Sequence, residues 1–303
     1  MNDLEINLTA AEQLARGSRW QRLWHAPGRY LYALGFRRLV YARGRRARMA
    51  VAHTFFGTPM LVLLPSGTDL YLLGAKTHES ETRLARLLIR HLQPGDTFLD
   101  VGGHFGYFSL LASLLVGASG RVVTFEASRS TFTVLADNVR PHTNITACNE
   151  ALSDKAETLS FFEFPVLYNE FNALNVDQYR HEKWFAKSPP VRTDIAATTL
   201  DAVVQRFGIR PAIIKIDVEG AELQVISGAA HTLRQQQPLV VMEYLAPNRH
   251  NETHRQAAAL LRELGYQSFA PDATGGLVPC TDLDAYLAAH AEDSANFVFR
   301  KPA

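Results

Sequence analysis

Two short stretches of this chain combine residue types and spacings that could do chemistry. The first is Asp100-Val101-Gly102-Gly103-His104-Phe105-Gly106, where an apolar run ends in an acid and three glycines. Glycines allow a tight turn and a close backbone approach to a ligand, and Asp100 could hold an ammonium group. Glu126 closes the next apolar run, about 20 residues on, where an acid accepts hydrogen bonds from ribose hydroxyls. Together they point to a nucleoside-containing ligand. The glycines stand at 102, 103 and 106. This is not the GxGxxG spacing that seats a pyrophosphate, so S-adenosylmethionine, which has no phosphates, fits better than a dinucleotide. A glycine-rich strand–helix turn with no ligand is the plainer alternative.

The second stretch is Ile214-Lys215-Ile216-Asp217-Val218-Glu219-Gly220-Ala221-Glu222. A buried strand ends in a carboxylate, a second carboxylate follows, and then glycine opens a helix. A carboxylate where a strand opens into a cleft can take a proton or anchor a substrate. Asp217 is therefore the first candidate for base or substrate anchor, with Glu219, His104, His78 and Glu243 behind it. Asp217 also suits a helix cap, His104 a loop imidazole, and Glu222 or Glu243 an ion pair with Lys215 or an arginine. Asp217, Glu219 and Glu243 offer hard oxygens of the kind magnesium takes. No Asp-Asn pair follows the strand of Glu243, however, and no metal is expected.

Alternating elements must carry these stretches. Strands are expected at Thr97–Val101, Arg121–Phe125, Ile145–Asn149, Ala212–Asp217 and Leu239–Glu243. Helices are expected over 105–116, 128–139, Ala221–Leu233 and 253–264. Tyr266–Phe269 and Asn296–Phe299 close the series. Strands alternating with helices predict a mostly parallel, doubly wound α/β sheet covered on both faces. Residues 79–92 fit an amphipathic helix, and 51–73 read as short strands joined by Pro65-Ser66-Gly67. Residues 156–199 interrupt the rhythm with Phe161, Phe162, Phe164, Tyr168, Phe171, Tyr179, Trp184 and Phe185. Such an insertion could form a lid and an acceptor pocket, or simply pack on the sheet. The chain thus divides into an Arg-rich helical extension (1–50), a small β/helical segment (51–92) and a ligand-binding domain (93–303).

The net charge is +1, but Arg16 to Arg48 holds ten arginines and no acid. Removing those ten charges leaves −9 for the rest, so a basic arm is attached to an acidic body. Trp20, Trp24, Tyr30, Leu31 and Tyr32 lie between the arginines. Two readings stay open for 16–48: weak peripheral contact with an anionic membrane surface, or packing on the acidic body. No apolar run is long enough to span a bilayer, and the polar start lacks the features of a signal peptide. A cytoplasmic protein, or one resting on the inner face of the membrane, is expected. Cys148 and Cys280 have no CxxC partners, which argues against a disulfide framework and a zinc site.

The stretch TTLDAVVQRFGIRPAIIKIDVEGAELQVISGA resembles the signature of the FkbM-type methyltransferases. FLDVGGHFGYFSLLAS resembles that family's first motif, FEASRSTFTVLADN its second, and NEALSD the stretch after its third strand. PLVVMEY and NFVFRKP also fit, so the resemblance covers about residues 75–300. It implies a class I, Rossmann-like methyltransferase fold, S-adenosylmethionine as donor, and O-methylation of a sugar, glycan or natural-product intermediate. By the same resemblance Asp100, Gly102, Gly103 and Gly106 would hold the methionine part, Glu126 the ribose, and Asn149 or Glu150 would lie near adenine. Asp217 and Glu219 would face the reacting centre. His104 stands where the family commonly has Asn, and Ala127 where it has Pro.

Rival readings are weaker on the residues. A dehydrogenase leaves IKIDVEGAE unexplained. A nucleic-acid methyltransferase draws on the arginines, yet the acidic body opposes a long phosphate track, and no nucleic-acid partner is expected. A protein that binds S-adenosylmethionine without catalysis remains the alternative from another class.

Overall fold

The computed structural model describes residues 3–176 and 179–302. Along the chain come α1 (Asp3–Arg16), α2 (Arg19–His25), α3 (Pro27–Gly35), a π-helical turn over Phe36–Tyr41, and α4 (Ala42–Gly44). A hairpin of β1 (Arg48–His53) and β2 (Pro59–Leu64) leads to α5 (Thr68–Leu73) and α6 (Glu79–His91). The alternating part follows: β3 (Thr97–Val101), α7 (Tyr107–Val116), β4 (Arg121–Phe125), α8 (Arg129–Val139) and β5 (Ile145–Cys148). After β6 (Ala151–Leu152), β7 (Glu157–Glu163) and β8 (Val191–Thr198) come α9 (Leu200–Phe207), β9 (Ile213–Ile216), α10 (Glu222–Ser227) and α11 (Ala230–Gln235). The chain ends with β10 (Leu239–Leu245), α12 (Glu252–Glu263), β11 (Gln267–Pro271), β12 (Leu277–Pro279), α13 (Leu283–His290) and β13 (Ser294–Arg300).

Eight strands form the main sheet in the order β12-β11-β13-β10-β9-β3-β4-β5. From β5 to β10 neighbours run parallel, while β13 pairs antiparallel with β10 and β11. This arrangement is the class I methyltransferase fold that the sequence implied. Side chains alternate across it. Leu99, Val101, Ile214 and Ile216 join the core under α9 to α13, and Phe98 and Ile213 join the core under α6 to α8. Strands buried on both faces must read as near-continuous apolar runs, which is why they were legible. The chain winds from β3 to β4 and β5, then returns to β9 on the other side of β3. The strand order reverses there, and a crevice opens beyond the carboxyl ends of β3 and β9.

Three expectations change. The segment after Pro65-Ser66-Gly67 is α5, not a strand; its Leu70 is buried and Gly74 closes it in a left-handed conformation. The helix expected over Ala221–Leu233 divides at Gly228, where a Cβ would overlap the carbonyl oxygen of Ser153. Helices α9 and α13 were not foreseen. The insertion supplies β7 and β8, which join β6 in a three-stranded sheet of order β6-β8-β7, and an aromatic cluster of Phe164, Tyr168, Phe171, Tyr179, Trp184 and Phe185. The hairpin, α5, α6 and Leu8 of α1 share one core with α7 and α8. Among the described residues no helix is long and apolar enough to cross a membrane.

Candidate active site

The glycine turn is built by close packing. Gly102 and Gly103 both donate their amides to the Phe125 carbonyl, at 3.0 and 2.8 Å. Gly102 and Gly106 have φ of +82° and +91°. A Cβ at Gly102 would overlap the Asp217 carbonyl, one at Gly103 the Thr124 hydroxyl, and one at Gly106 the Leu135 side chain. All three glycines are therefore required by neighbouring elements. Of the three, Gly102 alone lines the cavity beyond the strands.

That cavity has a volume of about 500 Å³. Glu126 stands on its wall at the end of β4. One carboxylate oxygen accepts from the His104 amide at 2.9 Å and the other from the Ser128 amide at 2.9 Å. These bonds aim the carboxylate, and burial raises its pKa to about 7 in spite of them. Ala127, Ala151, Leu152 and Phe161 supply an apolar wall nearby.

Other expected contacts fall differently. Asp100 does not reach the cavity. It is 1% exposed, accepts from the Ser109 hydroxyl at 2.6 Å, and faces Lys215 at 3.4 Å. Its direction follows from strand alternation, which turns it toward α7. Asn149 does not line the cavity either; its amide holds the carbonyls of Glu126 and Ala127. Glu150 does line it, with its carboxylate gripped by Arg206 at 3.0 and 2.9 Å. His104 lies in the cavity wall with its ring against Phe105. Burial, and then the charge of Lys76, lower its pKa to about 3. The imidazole is neutral at pH 7 and a feeble proton acceptor.

The reacting end gathers charge. Asp217 leaves β9 beside Lys215, whose ammonium lies 3.2 Å from its carboxylate and donates to the Gly102 carbonyl at 3.1 Å. Burial opposes the Asp217 charge, but Lys215 and Lys76 outweigh it and hold the carboxyl below its ordinary range. Glu219 sits in the left-handed region at φ +53° and accepts from the Tyr179 hydroxyl at 2.6 Å. Burial and the Asp217 charge push Glu219 up to about 8. The same two causes, with Glu219 added, raise Glu243 well above the ordinary carboxyl range. Oxygens of Asp217, Glu219 and Glu243 all lie within 4.8 Å of one another. Such a group could take a cation or share protons. Below it, buried Glu222 accepts from the amides of Val218 and Gly220, at 3.2 and 3.3 Å, and pairs with His254 at 3.2 Å. That pairing replaces the expected one with Lys215 or an arginine.

The structure adds residues that were not singled out. Lys76, ion-paired with Glu81, Glu170 from the insertion and Arg249 after β10 all line the cavity. Tyr179 orients Glu219. A lysine between Ile214 and Ile216 in a buried strand was a usable signal for Lys215, since lysine is almost never fully buried unless paired. Nothing local marked Lys76, Arg249 or Glu170.

The model of the methyltransferase FkbM domain family matches residues 100–268. The hexuronic acid methyltransferase AglP of Haloferax volcanii is 25% identical over 156 residues. That match covers 51% of this chain and 58% of the relative, so the chain spans little more than half of that protein's length. A solved FkbM methyltransferase of Methylobacillus flagellatus KT superposes with a TM-score of 0.41 at 17% identity, over 68% of this chain and 43% of that one. The O-methyltransferase TomG of Streptomyces achromogenes gives 0.41 at 12% identity, over 78% and 86%.

Proposed function

Because this chain belongs to the FkbM methyltransferase family, we propose that it moves a methyl group from S-adenosylmethionine to a sugar hydroxyl. One observation carries the reading. A single cavity is lined both by Glu126, aimed by two amides, and by the Asp217, Glu219 and Glu243 group. The residues present fit the donor: Glu126 offers a carboxylate to ribose hydroxyls, Gly102 lines the cavity at the strand end, and the apolar wall suits a purine. When bound, the donor supplies an electrophilic methyl group on a sulfonium, which is already a good leaving group.

The chain's own residues then have three tasks. Glu126 accepts from the ribose hydroxyls and fixes the donor's direction. Asp217, kept ionised by Lys215, accepts the hydrogen bond of the acceptor hydroxyl and orients its oxygen. In-line placement of this kind lowers the barrier by pre-paid entropy. As the new O–C bond forms, the hydroxyl proton passes to the carboxylate group, whose members titrate together. Tyr179 keeps Glu219 within that group.

Arg249 lines the same cavity, and no carboxylate lies within ion-pair distance of it among the described residues. A cation of this kind suits an acidic sugar, in keeping with the hexuronic acid relative. It also favours a second reading, methylation of the sugar's carboxylate oxygen, which needs no base. Product mapping with isotope-labelled donor, against matched neutral and uronic sugars, tests both. A methyl ether supports the first reading and a methyl ester the second. Donor binding with no product from any sugar would leave a binding protein. Arg249→Ala is expected to raise KM about tenfold for uronic acceptors and to spare neutral ones, the loss of one charge-assisted hydrogen bond.

A further inference from the structure

The basic arm is not neutralised by the acidic body. Of the ten arginines from Arg16 to Arg48, Arg16 alone pairs with carboxylates among the described residues, those of Glu12 and Glu79. Arg29 and Arg48 instead lie over the rings of Tyr71 and Tyr32. Arg45 donates to the Lys187 carbonyl and the Ser188 hydroxyl. Arg19, Arg37, Arg38 and Arg46 reach no carboxylate and are exposed.

The arm has an inner side and an outer side. Phe36 and Tyr41 are buried against Leu64, and the Tyr41 hydroxyl accepts from the Leu167 amide at 3.1 Å. This contact seats the arm on the insertion. The rest of the arm exposes apolar side chains among its arginines. Trp20 and Trp24, one turn apart on α2, are 70% and 76% exposed. Leu31 and Leu34 of α3, then Leu39 and Val40, then Met49 and Val51 of β1, are exposed as well. Among the described residues, eight of the twelve exposed large apolar side chains thus fall between positions 20 and 51. A concentration of that kind marks an interaction surface rather than ordinary scatter.

We propose that α2, α3 and the turn after them lie on an anionic lipid surface, with Trp20, Trp24, Leu31 and Leu39 entering the headgroup boundary. Unpaired arginines meet lipid phosphates, and apolar side chains leave water among the first methylenes. A single-stranded nucleic acid would use the arginines and tryptophans but gains nothing from exposed Leu and Val, because its affinity comes from stacking and charge. The inference does not depend on the identity of the methyl acceptor. Seated on the insertion, the arm would hold the cavity-lining residues Asn169 and Glu170 close to that surface.

The test uses the full chain with vesicles of one-quarter phosphatidylglycerol in phosphatidylcholine, and of phosphatidylcholine alone. The protein is expected to co-sediment with the anionic vesicles at low salt and to be released by high salt, since charge contacts are screened. Two of the three tryptophans lie in the arm, so emission should shift to the blue on binding. Trp20→Ser with Trp24→Ser, and separately Arg37→Glu with Arg38→Glu, should each weaken binding roughly tenfold or more while leaving the thermal midpoint unchanged. Protein that stays in the supernatant at low salt overturns the proposal. So does a tryptophan variant that binds like the parent. Self-association through the arm, or tight capture of a short single-stranded RNA with no vesicle binding, would also overturn it by naming a different occupant.

Discussion

Lys215 ties Asp217 to Asp100. Asp100 is its register partner on β3, and its ammonium stands 3.4 Å from one carboxylate and 3.2 Å from the other. Lys215 and Asp100 are 2% and 1% exposed. Removing one member of a buried ionic group leaves uncompensated charge, at a cost of about 3–5 kcal/mol. Lys215→Met is therefore expected to lower the denaturant midpoint sharply, and adding Asp100→Asn should restore part of the loss. An unchanged midpoint in Lys215→Met would show that the group contributes nothing to stability.

Glu126 predicts a pH-dependent donor affinity. Its carboxyl, ordinarily near 4.5, is raised by burial to about 7. Ribose hydroxyls donate to the ionised form, so affinity should climb from pH 6 to 8 and level off above. Below that pKa the loss is about tenfold per pH unit. In the free protein the sign is opposite: this carboxyl adds stability below pH 4.5 that is lost as pH rises through about 7. Calorimetric titrations of wild type and Glu126→Gln check both. Glu126→Gln should bind more weakly at pH 8 and show no slope; a slope that persists would move the titration to another group.

Asp217→Asn keeps shape but removes charge. If the acceptor is a hydroxyl, turnover should fall about 10²–10⁴-fold with donor affinity nearly unchanged. Glu219, raised to about 8, should give kcat an ascending limb near that pH as the carboxylate group loses its proton. The Tyr179 hydroxyl donates to the ionised form, so Tyr179→Phe should move the limb upward in pH. A limb that stays in place removes Glu219 from the reaction. Chelator treatment followed by magnesium is expected to leave the rate unchanged; restoration by the ion would give the three carboxylates a metal.

Gly103→Ala should act through stability before it acts through the donor. Its Cβ would press on the Thr124 hydroxyl of β4, and overpacking of a filled site costs typically 1–3 kcal/mol. The thermal midpoint should fall, and Thr124→Ser, which leaves that oxygen in place, should not rescue it. Loss of donor affinity at an unchanged midpoint would instead mean that the glycine serves the ligand.

The local grammar of the chain determined much of this. Apolar runs at 97–101, 121–125 and 239–243, closed by acids or glycines and alternating with helical stretches, were enough for a parallel sheet, because a strand buried on both faces has nowhere to carry polar residues. Glu126 and Asp217 were legible for the same reason: each follows directly where such a run stops, with Glu219 two residues beyond Asp217, so their place at the crevice is a matter of chain order. Tertiary structure decided what faces what. Asp100 reads like a site acid in one dimension, yet the pleat turns it inward to Lys215. His104 looks like a base, yet burial beside Lys76 leaves its imidazole neutral. Lys76, Glu170 and Arg249 come from the segment before α6, from the insertion and from beyond β10. Only the folded sheet brings them to one cavity, because their spacing along the chain follows no helical or strand period. The arm shows the same division. Its arginines and tryptophans are plain in the sequence, while it takes the fold, with Phe36 and Tyr41 anchoring the arm to the body, to show that among the described residues only Arg16 of these arginines meets a carboxylate.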